Sequence, residues 1–438
     1  METDKTTLND LSIFNSEDEF SVFSKLNLTR TTGGREKLRY IFNHSLSDID
    51  SIKNVQDTLK LIIREKQRWP LSVSNGSVMM IYKFYESSID DPPSRPSPFS
   101  AYIYKLLHGP DYSLIKYSVG HAFDFIKGMK QICSVFLDEK APLNLKRQLE
   151  KASVLIERHQ FQIVFEKEKA EDMNNRQMLS FAYYIRYHYK QNFFELIEIY
   201  SQLDAWYGMA MAVNEFKLSF PVFVSSEEPT LDAKTLYHIL LKDPVAYDVA
   251  LNQNNNFIFL TGANMAGKST FIKAVGSAVF LAHIGLGVPA DSMRLSLFDG
   301  LLSNINVVDN ISKGESFFYN EVQRVKNTII KVNDKRKWLI LIDELFKGTN
   351  MQDAMKCSTV VVEGLIKIKR SLFILSTHLY EISENLKEHP NIDFKYFETE
   401  VTDEKLIFNY KLKDGVSSDR LGYLILKREK VIDLLENL

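Results

Sequence analysis

The residues best suited to chemistry lie in a ten-residue run at positions 261–270, which reads TGANMAGKST. This run satisfies the pattern G-x-x-x-x-G-K-[ST], in which backbone N–H groups and a helix N-terminus surround the phosphates of a nucleotide. An apolar run at 257–260 precedes it and reads as a buried strand, and the sequence from Phe271 onward reads as a helix. The pattern therefore predicts a phosphate loop that binds ATP or GTP. The residues expected to contact the nucleotide are Gly262, Asn264, Met265, Ala266, Gly267, Lys268, Ser269 and Thr270.

Two carboxylates follow a second apolar run. Residues 338–342 read as a buried strand, and Asp343 and Glu344 come directly after it. At the C-terminal end of a parallel strand, Asp343 is expected to hold Mg²⁺ together with the hydroxyl of Ser269. Glu344 is then free to orient or deprotonate an attacking water. The alternative is that the carboxylate pair caps the next helix.

A histidine follows a third apolar run. Residues 372–375 read as a strand, and Ser376, Thr377 and His378 follow it. A histidine at that edge of a sheet can reach the γ-phosphate or the attacking water, and so report which nucleotide is bound. The alternative is a surface or core histidine, which we expect for most of the nine in the chain.

These motifs require elements that position them. Before residue 225, apolar residues recur at spacings of three and four, which predicts helices. A polar linker, SSEEP, follows at 225–229, and beyond Leu240 short apolar runs alternate with helical ones, as in βα units. We predict a helical domain at 1–225 and an α/β nucleotide-binding domain at 226–438.

Composition limits the classes of protein to consider. The 438 residues carry a formal net charge of −2, so any contact with nucleic acid requires a local basic patch. Cys133 and Cys357 are too few for a disulfide framework or a cysteine zinc site. No apolar run reaches the roughly 18 residues of a membrane span, and the polar N-terminus lacks a signal peptide. We predict a cytoplasmic protein without membrane contact.

One segment of the predicted helical domain is rich in charge of both signs. Residues 140–190 mix Lys and Arg with Asp and Glu while keeping apolar helical spacing. This pattern is typical of a solvated helix with one buried face. A phosphate-binding surface is the alternative.

Taken together, the motifs resemble the ATPase domain of the MutS family, the DNA mismatch-repair ATPases related to ABC transporters. The run TGANMAGKST differs from the family's TGPNMAGKST only at Ala263. Asn264 and Met265 are the telling pair, because generic phosphate loops do not require them. The resemblance implies ATP as the nucleotide and Mg²⁺ as the metal.

The carboxylate and histidine motifs carry the same resemblance. Residues 343–350, DELFKGTN, resemble the family's DEIGRGTS, with Phe346 in place of glycine and Lys347 in place of arginine. Residues 376–382, STHLYEI, resemble its ATHYFEL.

A further match implies a dimer. Residues 314–322, GESFFYNEV, resemble GRSTFMVEM, the family's signature loop. In the family the serine matched here by Ser316 approaches the nucleotide of the partner subunit, so two ATP molecules lie between two ATPase domains. Donors from the second chain would complete the charge neutralisation that phosphoryl transfer requires. The resemblance therefore implies a homodimer with Glu344, His378 and Ser316 as catalytic residues.

The resemblance also covers the base of the nucleotide. Residues 408–415, FNYKLKDG, resemble the family strand whose aromatic or histidine side chain lies on the adenine. Tyr410 is the candidate for that stacking. The alternative is a strand aromatic packed in the core.

The upstream sequence resembles the start of the MutS core and lever domain. Residues 31–35, TTGGR, stand where the family has T-x-x-G-x-R. The implied fold is an α-helical core and lever domain followed by an ABC-type P-loop NTPase domain. Because the core-like pattern begins almost at Met1, we expect no mismatch-recognition domain and no direct mismatch recognition. Whether residues 90–200 form an abbreviated clamp or thicken the lever stays open.

Three functions are compatible with these motifs. The first is a MutS-like ATPase whose nucleotide state moves a helical lever that binds branched or non-B DNA, an expectation that rests on family analogy. The second is an ATP-driven switch whose lever contacts another protein and no DNA. A small-molecule kinase is disfavoured, because Glu344, Ser316 and His378 suit water activation.

Overall fold

The computed structural model describes residues 1–15, 20–305, 317–402 and 405–417, together with Val431 and Leu434. The helices before residue 216 are α1 (Lys5–Asp10), α2 (Val22–Leu26), α3 (Thr32–Asn43), α4 (Ile49–Arg64), α5 (Asn75–Glu86), α6 (Pro98–Leu107), α7 (Gly109–Phe136), α8 (Leu143–Ile156), α9 (Gln162–Glu166), α10 (Asn175–Tyr183) and α11 (Lys190–Glu215). Beyond it lie β1 (Val222–Val224), β2 (Leu231–Leu236), β3 (Tyr247–Leu251), β4 (Phe257–Thr261), α12 (Lys268–His283), β5 (Ser292–Ser296), β6 (Gly300–Asn304), α13 (Phe317–Val332), β7 (Trp338–Asp343), α14 (Met351–Leu365), β8 (Ser371–Ser376), α15 (Ser383–Leu386), β9 (Ile392–Thr402) and β10 (Lys405–Asp414). Among the described helices, none combines the length and the apolar character that crossing a membrane requires.

The chain divides into two compact units. The sheet unit consists of Met1–Lys25, Ser45–Ile52 and Phe216–Leu438. The helical unit consists of Leu26–His44 and Lys53–Glu215. This division differs from the predicted boundary between residues 225 and 226, because the N-terminal segment belongs with the sheet.

Hydrogen bonds to an edge strand explain where the N-terminal segment lies. Glu2 forms a parallel bridge with Gly300, the first residue of β6. The Asp10 carboxylate at the end of α1 accepts hydrogen bonds from the Ser303 hydroxyl at 2.7 Å and from the Ile305 amide at 3.0 Å. Asp10 and Ser303 are 293 positions apart in sequence, so local periodicity contains no sign of this contact.

The larger sheet carries the motifs. Its strand order is β10-β9-β4-β8-β7-β6. Strands β9, β4, β8, β7 and β6 run parallel, and β10 returns antiparallel to β9. The three predicted strands at 257–260, 338–342 and 372–375 are confirmed as β4, β7 and β8, and all their residues are buried. Continuous apolar strands of this kind belong in a parallel sheet that is covered on both faces.

A smaller sheet with the order β1-β5-β2-β3 lies in the same unit. β1 pairs parallel with β5, whereas β2 pairs antiparallel with both β5 and β3. Its strand β3 begins at Tyr247, a residue that lines the cavity next to the phosphate loop.

In the helical unit, a buried carboxylate holds the start of α3. The Thr31 hydroxyl accepts a hydrogen bond from the Gly34 amide at 3.0 Å, and donates its own proton to Asp204 of α11 at 2.6 Å. A Cβ atom on Gly34 would lie 2.1 Å from Asp204 Oδ2. This close approach is the physical reason for a glycine within the TTGGR sequence.

Helix α8 has the alternation expected of a solvated helix with one buried face. Leu145, Leu149 and Ile156 are buried, whereas Arg147 and Lys151 are exposed. The interpretation of the charged segment 140–190 as solvated helix is confirmed for this element.

Two helical glycines of this unit make a matched test of packing. A Cβ on Gly208 of α11 would lie 2.8 Å from the Thr29 backbone nitrogen, whereas a Cβ on Gly120 of α7 meets no atom within 4 Å. We expect Gly208→Ala to lower the free energy of unfolding by about 1–3 kcal/mol, because the Thr29 backbone must move to make room for the added methyl group. Gly120→Ala should raise it by up to about 1 kcal/mol through helix propensity alone. Urea unfolding followed by circular dichroism measures both, and equal effects of the two substitutions would contradict the packing argument.

Candidate active site

The phosphate-loop sequence forms a turn between strand β4, which ends at Thr261, and helix α12, which begins at Lys268. Gly262 and Gly267 have φ angles of 136° and 110°, values that side chains rarely tolerate. A Cβ on Gly262 would also lie 3.1 Å from the carbonyl oxygen of Phe397. The glycines thus allow the loop to end at a helix N-terminus, where backbone N–H groups favour an anion.

Lys268 is held inside this turn. Its Nζ donates hydrogen bonds to the carbonyl oxygens of Gly262 at 2.7 Å and Ala263 at 2.9 Å. Burial lowers the pKa of Lys268 to about 8, although the nearby carboxylates of Glu344 and Asp343 act in the opposite direction. The ammonium therefore begins to lose its proton only slightly above neutral pH.

Asp343 is the last residue of strand β7, and its carboxylate connects that strand to helix α12 and strand β8. Its Oδ2 accepts a hydrogen bond from the Ser269 hydroxyl of α12 at 2.5 Å, and its Oδ1 accepts one from the Ser376 hydroxyl. Ser376 is the register partner of Asp343 in the neighbouring strand β8. The carboxylate and hydroxyl oxygens gathered here are the ligand types that Mg²⁺ prefers, so the two residues predicted to hold the metal lie together and fit it.

Both carboxylate oxygens of Glu344 have cationic or titratable partners. His378 Nε2 lies 2.5 Å from Oε1, and Lys347 Nζ lies 2.8 Å from Oε2. Burial acts to raise the pKa of Glu344, but the hydrogen bonds from His378 and Lys347 outweigh it and lower the pKa to about 2. The structure thus brings together the predicted carboxylate and the predicted histidine, and Glu344 is ionised throughout the neutral range.

The carboxylate pair does not serve as a helix cap. Helix α14 is capped by Asn350, whose side chain accepts a hydrogen bond from the Asp353 amide at 3.0 Å. The capping alternative for Asp343 and Glu344 is therefore wrong. Glu344 itself has a left-handed φ of 64°, and its amide donates to the Ser376 carbonyl oxygen at 2.9 Å. Such backbone conformations in non-glycine residues persist where the surroundings hold them, often at functional sites.

A cavity of about 440 Å³ opens beside the phosphate loop. The predicted residues that line it are Asn264, Met265, Gly267, Lys268, Ser269, Thr270, Glu344 and Tyr410. Gly262 and Ala266 do not line it. Gly262 contributes a carbonyl oxygen to Lys268, and Ala266 is buried within the loop. The predicted Ser316 lies outside the described residues.

Tyr410 lies at the cavity and not in the core. It is 41% exposed, has a φ of 55°, and falls where the register between β10 and β9 shifts. A bulge of this kind redirects a side chain from the regular alternation of a strand. The core-packing alternative for Tyr410 is therefore wrong.

Part of the cavity wall was not predicted. Four residues contribute to it from the segment that leads into β3, namely Leu241, Asp243, Val245 and Tyr247. They form no motif with the phosphate loop and lie upstream of it in sequence. The sequence identifies Lys347 only as the replacement for a family arginine, and its contact with Glu344 depends on the turn after β7.

A glycine-rich turn between a buried parallel strand and a helix, with a buried lysine and a neighbouring strand that ends in a carboxylate, defines a P-loop nucleotide-binding protein. A family model for MutS domain V matches residues 258–432. Residues 258–432 are thus similar to MutS domain V, the ATPase domain of MutS proteins.

Curated relatives agree with this assignment. The DNA mismatch repair protein MutS of Thermotoga maritima is 28% identical over 279 residues, which cover 63% of this chain and 34% of that protein. The protein of the same name from Petrotoga mobilis is 28% identical over 225 residues, 51% of this chain and 27% of that protein. MutS protein homolog 4 of Homo sapiens is 29% identical over 238 residues, 52% of this chain and 25% of that protein. The matched part thus spans about a third or less of the length of these relatives.

The pKa of Lys268 leads to a prediction about pH. The ammonium form attracts phosphate, and a bound triphosphate raises the pKa of the lysine. Above pH 8, binding must therefore take up a proton, and we expect the affinity for ATP to fall by up to about tenfold per pH unit. Below pH 8 the lysine is already protonated, so it causes no further change in the affinity for ATP.

Equilibrium binding of ATP between pH 7 and 9.5 measures this dependence. Lys268→Ala provides the control, because it should bind weakly and lose the decline above pH 8. An affinity that stays constant over the whole range in the wild-type chain would contradict the prediction.

Proposed function

We propose that this chain binds ATP with Mg²⁺ and hydrolyses it in a site shared between two copies of the chain, within an ABC-type ATPase domain. The observation that carries the proposal is the pair Glu344 and His378, which meet at 2.5 Å beside the same cavity that Lys268 and Ser269 line. A site that only bound nucleotide would not need an ionised carboxylate oriented by a histidine.

Binding is assigned to the loop and the cavity wall. The N-terminal amides of α12 and the Lys268 ammonium attract the phosphates, and Tyr410 offers an aromatic face to the adenine. Ser269 and Asp343 would hold Mg²⁺, which when bound neutralises charge on the β- and γ-phosphates. Leu241 and Val245 supply apolar surface on the side of the cavity formed by the segment before β3.

Hydrolysis is assigned to Glu344. Because its pKa is about 2, the carboxylate is a weak base, and its main role is to orient the attacking water. Water adds to the γ-phosphorus while the bond to the ADP oxygen breaks, and the water proton passes to Glu344 late in that step. His378 keeps the carboxylate in place. Each carboxylate oxygen has two lone pairs, so a water can bind beside the existing partners.

The homodimer rests on the resemblance at Ser316 and on the openness of the site. Met265, in the middle of the phosphate loop, is 69% exposed, and Tyr410 is 41% exposed. Phosphoryl transfer is efficient where bulk water is excluded, apart from the attacking molecule, and where hydrogen-bond donors surround the transferred group. A second copy that brings its Ser316 to the nucleotide would provide both.

We further propose that the nucleotide state moves the helical unit as a lever that binds branched or non-B DNA. The support for this proposal is the match to MutS domain V and the similarity to proteins named for DNA mismatch repair. The net charge of −2 requires the DNA contact to be a local one.

A second candidate is an ATP-driven switch whose helical unit binds a protein. Helix α6 favours it, because Phe99, Tyr102 and Leu106 lie on one side of the helix and are 73%, 60% and 70% exposed. Exposed apolar clusters of this kind mark contacts with other proteins, whereas contacts with nucleic acid require basic residues.

The hydrolytic role predicts a trapped state. We expect Glu344→Gln to bind ATP with unchanged affinity and to hydrolyse it about 10²–10⁴-fold more slowly, because the amide cannot accept the water proton. ATP should then hold two copies together, which light scattering would detect as a doubled mass. Glu388→Gln changes an exposed glutamate of the same unit and should be neutral. A monomeric Glu344→Gln with normal turnover would contradict both the hydrolytic role and the dimer.

The two lever partners predict different responses to DNA. If the helical unit binds DNA, duplex, branched or single-stranded DNA should stimulate ATP turnover, and the binding constant should fall steeply as salt rises. Turnover measured with each DNA at several salt concentrations tests this expectation. Unchanged turnover, with no DNA binding at low salt, would leave the protein switch as the surviving candidate.

A further inference from the structure

A buried glutamate connects helix α13 to the turn that carries Glu344. Glu321 lies in the second turn of α13 and is only 3% exposed. Its Oε1 accepts a hydrogen bond from the Lys347 amide at 3.1 Å, and its Oε2 accepts one from the Gly348 amide at 3.2 Å. Both oxygens of one side chain thus hold two consecutive backbone amides. Removing that side chain would leave the Lys347 and Gly348 N–H groups without these acceptors.

An aromatic contact joins the same two segments. The rings of Phe318 in α13 and Phe346 in the turn have centroids 5.7 Å apart. Phe346 has a left-handed φ of 59° and is 4% exposed. Glycine is the residue that adopts this conformation without strain, and a large side chain there requires packing that holds it. In this chain the Phe318 ring is part of that packing.

These contacts hold the turn that positions the Glu344 carboxylate. Residues 344–348 include Glu344 at the start and Lys347 three positions later, whose ammonium lies 2.8 Å from Glu344 Oε2. Glu321 binds the backbone amide of that same Lys347. A displacement of α13 along its axis would therefore move the Lys347 backbone, and with it one of the two partners that orient Glu344.

We propose that Glu321 is a positioning residue for ATP hydrolysis: it transmits the position of α13, the helix that directly follows Ser316 in sequence, to the carboxylate of Glu344. This inference rests on the proposed function, since it assigns a route by which the helix after the signature-like sequence adjusts the hydrolytic group. Glu321 does not line the nucleotide cavity, so it acts through the turn and not through contact with ATP.

Two substitutions of graded severity test the proposal. Glu321→Gln keeps one acceptor oxygen, and Glu321→Ala keeps none. We expect kcat for ATP to fall about tenfold in Glu321→Gln and about a hundredfold in Glu321→Ala, as a small misplacement of a reacting group does. KM should stay within about twofold of wild type, because the cavity wall is unchanged.

A local readout accompanies the kinetics. Hydrogen exchange of the peptide that covers residues 345–350 should accelerate in both variants, and more in Glu321→Ala, because the Lys347 and Gly348 amides lose their acceptor. Asn327→Ala provides the control, since Asn327 is exposed on the same helix and should leave kcat and exchange at wild-type values. Thermal unfolding of each variant verifies that the fold survives at the assay temperature.

The outcomes separate this proposal from the proposed function. An active wild-type chain with a normal kcat in Glu321→Ala would overturn the positioning role alone. A loss of kcat that is matched by loss of ATP affinity and of thermal stability would assign Glu321 to the fold and also overturn it. A wild-type chain that binds ATP without hydrolysing it would overturn the proposed function, and the hydrolytic role of Glu321 with it.

Discussion

The carboxylate of Asp343 is the point on which the site depends. It accepts a hydrogen bond from the Ser269 hydroxyl at the start of α12 and another from the Ser376 hydroxyl at the end of β8, and Asp343 itself is the last residue of β7. One side chain therefore joins the phosphate-loop helix to the ends of strands β7 and β8. A buried carboxylate needs such partners, because a polar group that leaves water without new hydrogen bonds destabilises the fold. The same two oxygens that organise the apolar sheet edge would bind the metal.

Two charged side chains, Lys268 and Glu344, lie close to Asp343. Lys268 is turned back on its own loop and loses part of its basicity through burial, whereas Glu344 is held ionised by His378 and Lys347. The two groups thus carry opposite charge in the wall of one cavity, near where a γ-phosphate would lie. The left-handed backbone at Glu344 directs its side chain away from the regular alternation of β7. Because that conformation is unfavourable for a glutamate, the hydrogen bond from its amide to Ser376 matters for holding it.

The sheet unit also depends on chain segments that are distant in sequence. The N-terminal bridge from Glu2 to Gly300 and the bonds from Asp10 to β6 cover the edge strand next to β7. An exposed edge strand is a site of unwanted pairing, so this cover protects the sheet as well as anchoring the segment. Two residues of α13 restrain the turn after β7: Glu321 binds the Lys347 amide, and Phe318 packs against Phe346. The Glu344 carboxylate thus lies in a segment that several elements restrain.

The sequence alone was sufficient for the phosphate loop, the strands β4, β7 and β8, the pairing of Ser269 with Asp343, and the resemblance to MutS domain V. These features depend on local spacing, on continuous apolar runs, and on the rule that parallel strands end at one edge. Only the tertiary structure decided that Met1–Lys25 belongs with the sheet, that the bulge at Tyr410 turns its ring to the cavity, and that Leu241 and Tyr247 complete the wall. It also decided that Glu321 holds the turn after Glu344. Each of these rests on contacts between residues far apart in the chain or on a local departure from regular geometry, and periodicity reports neither.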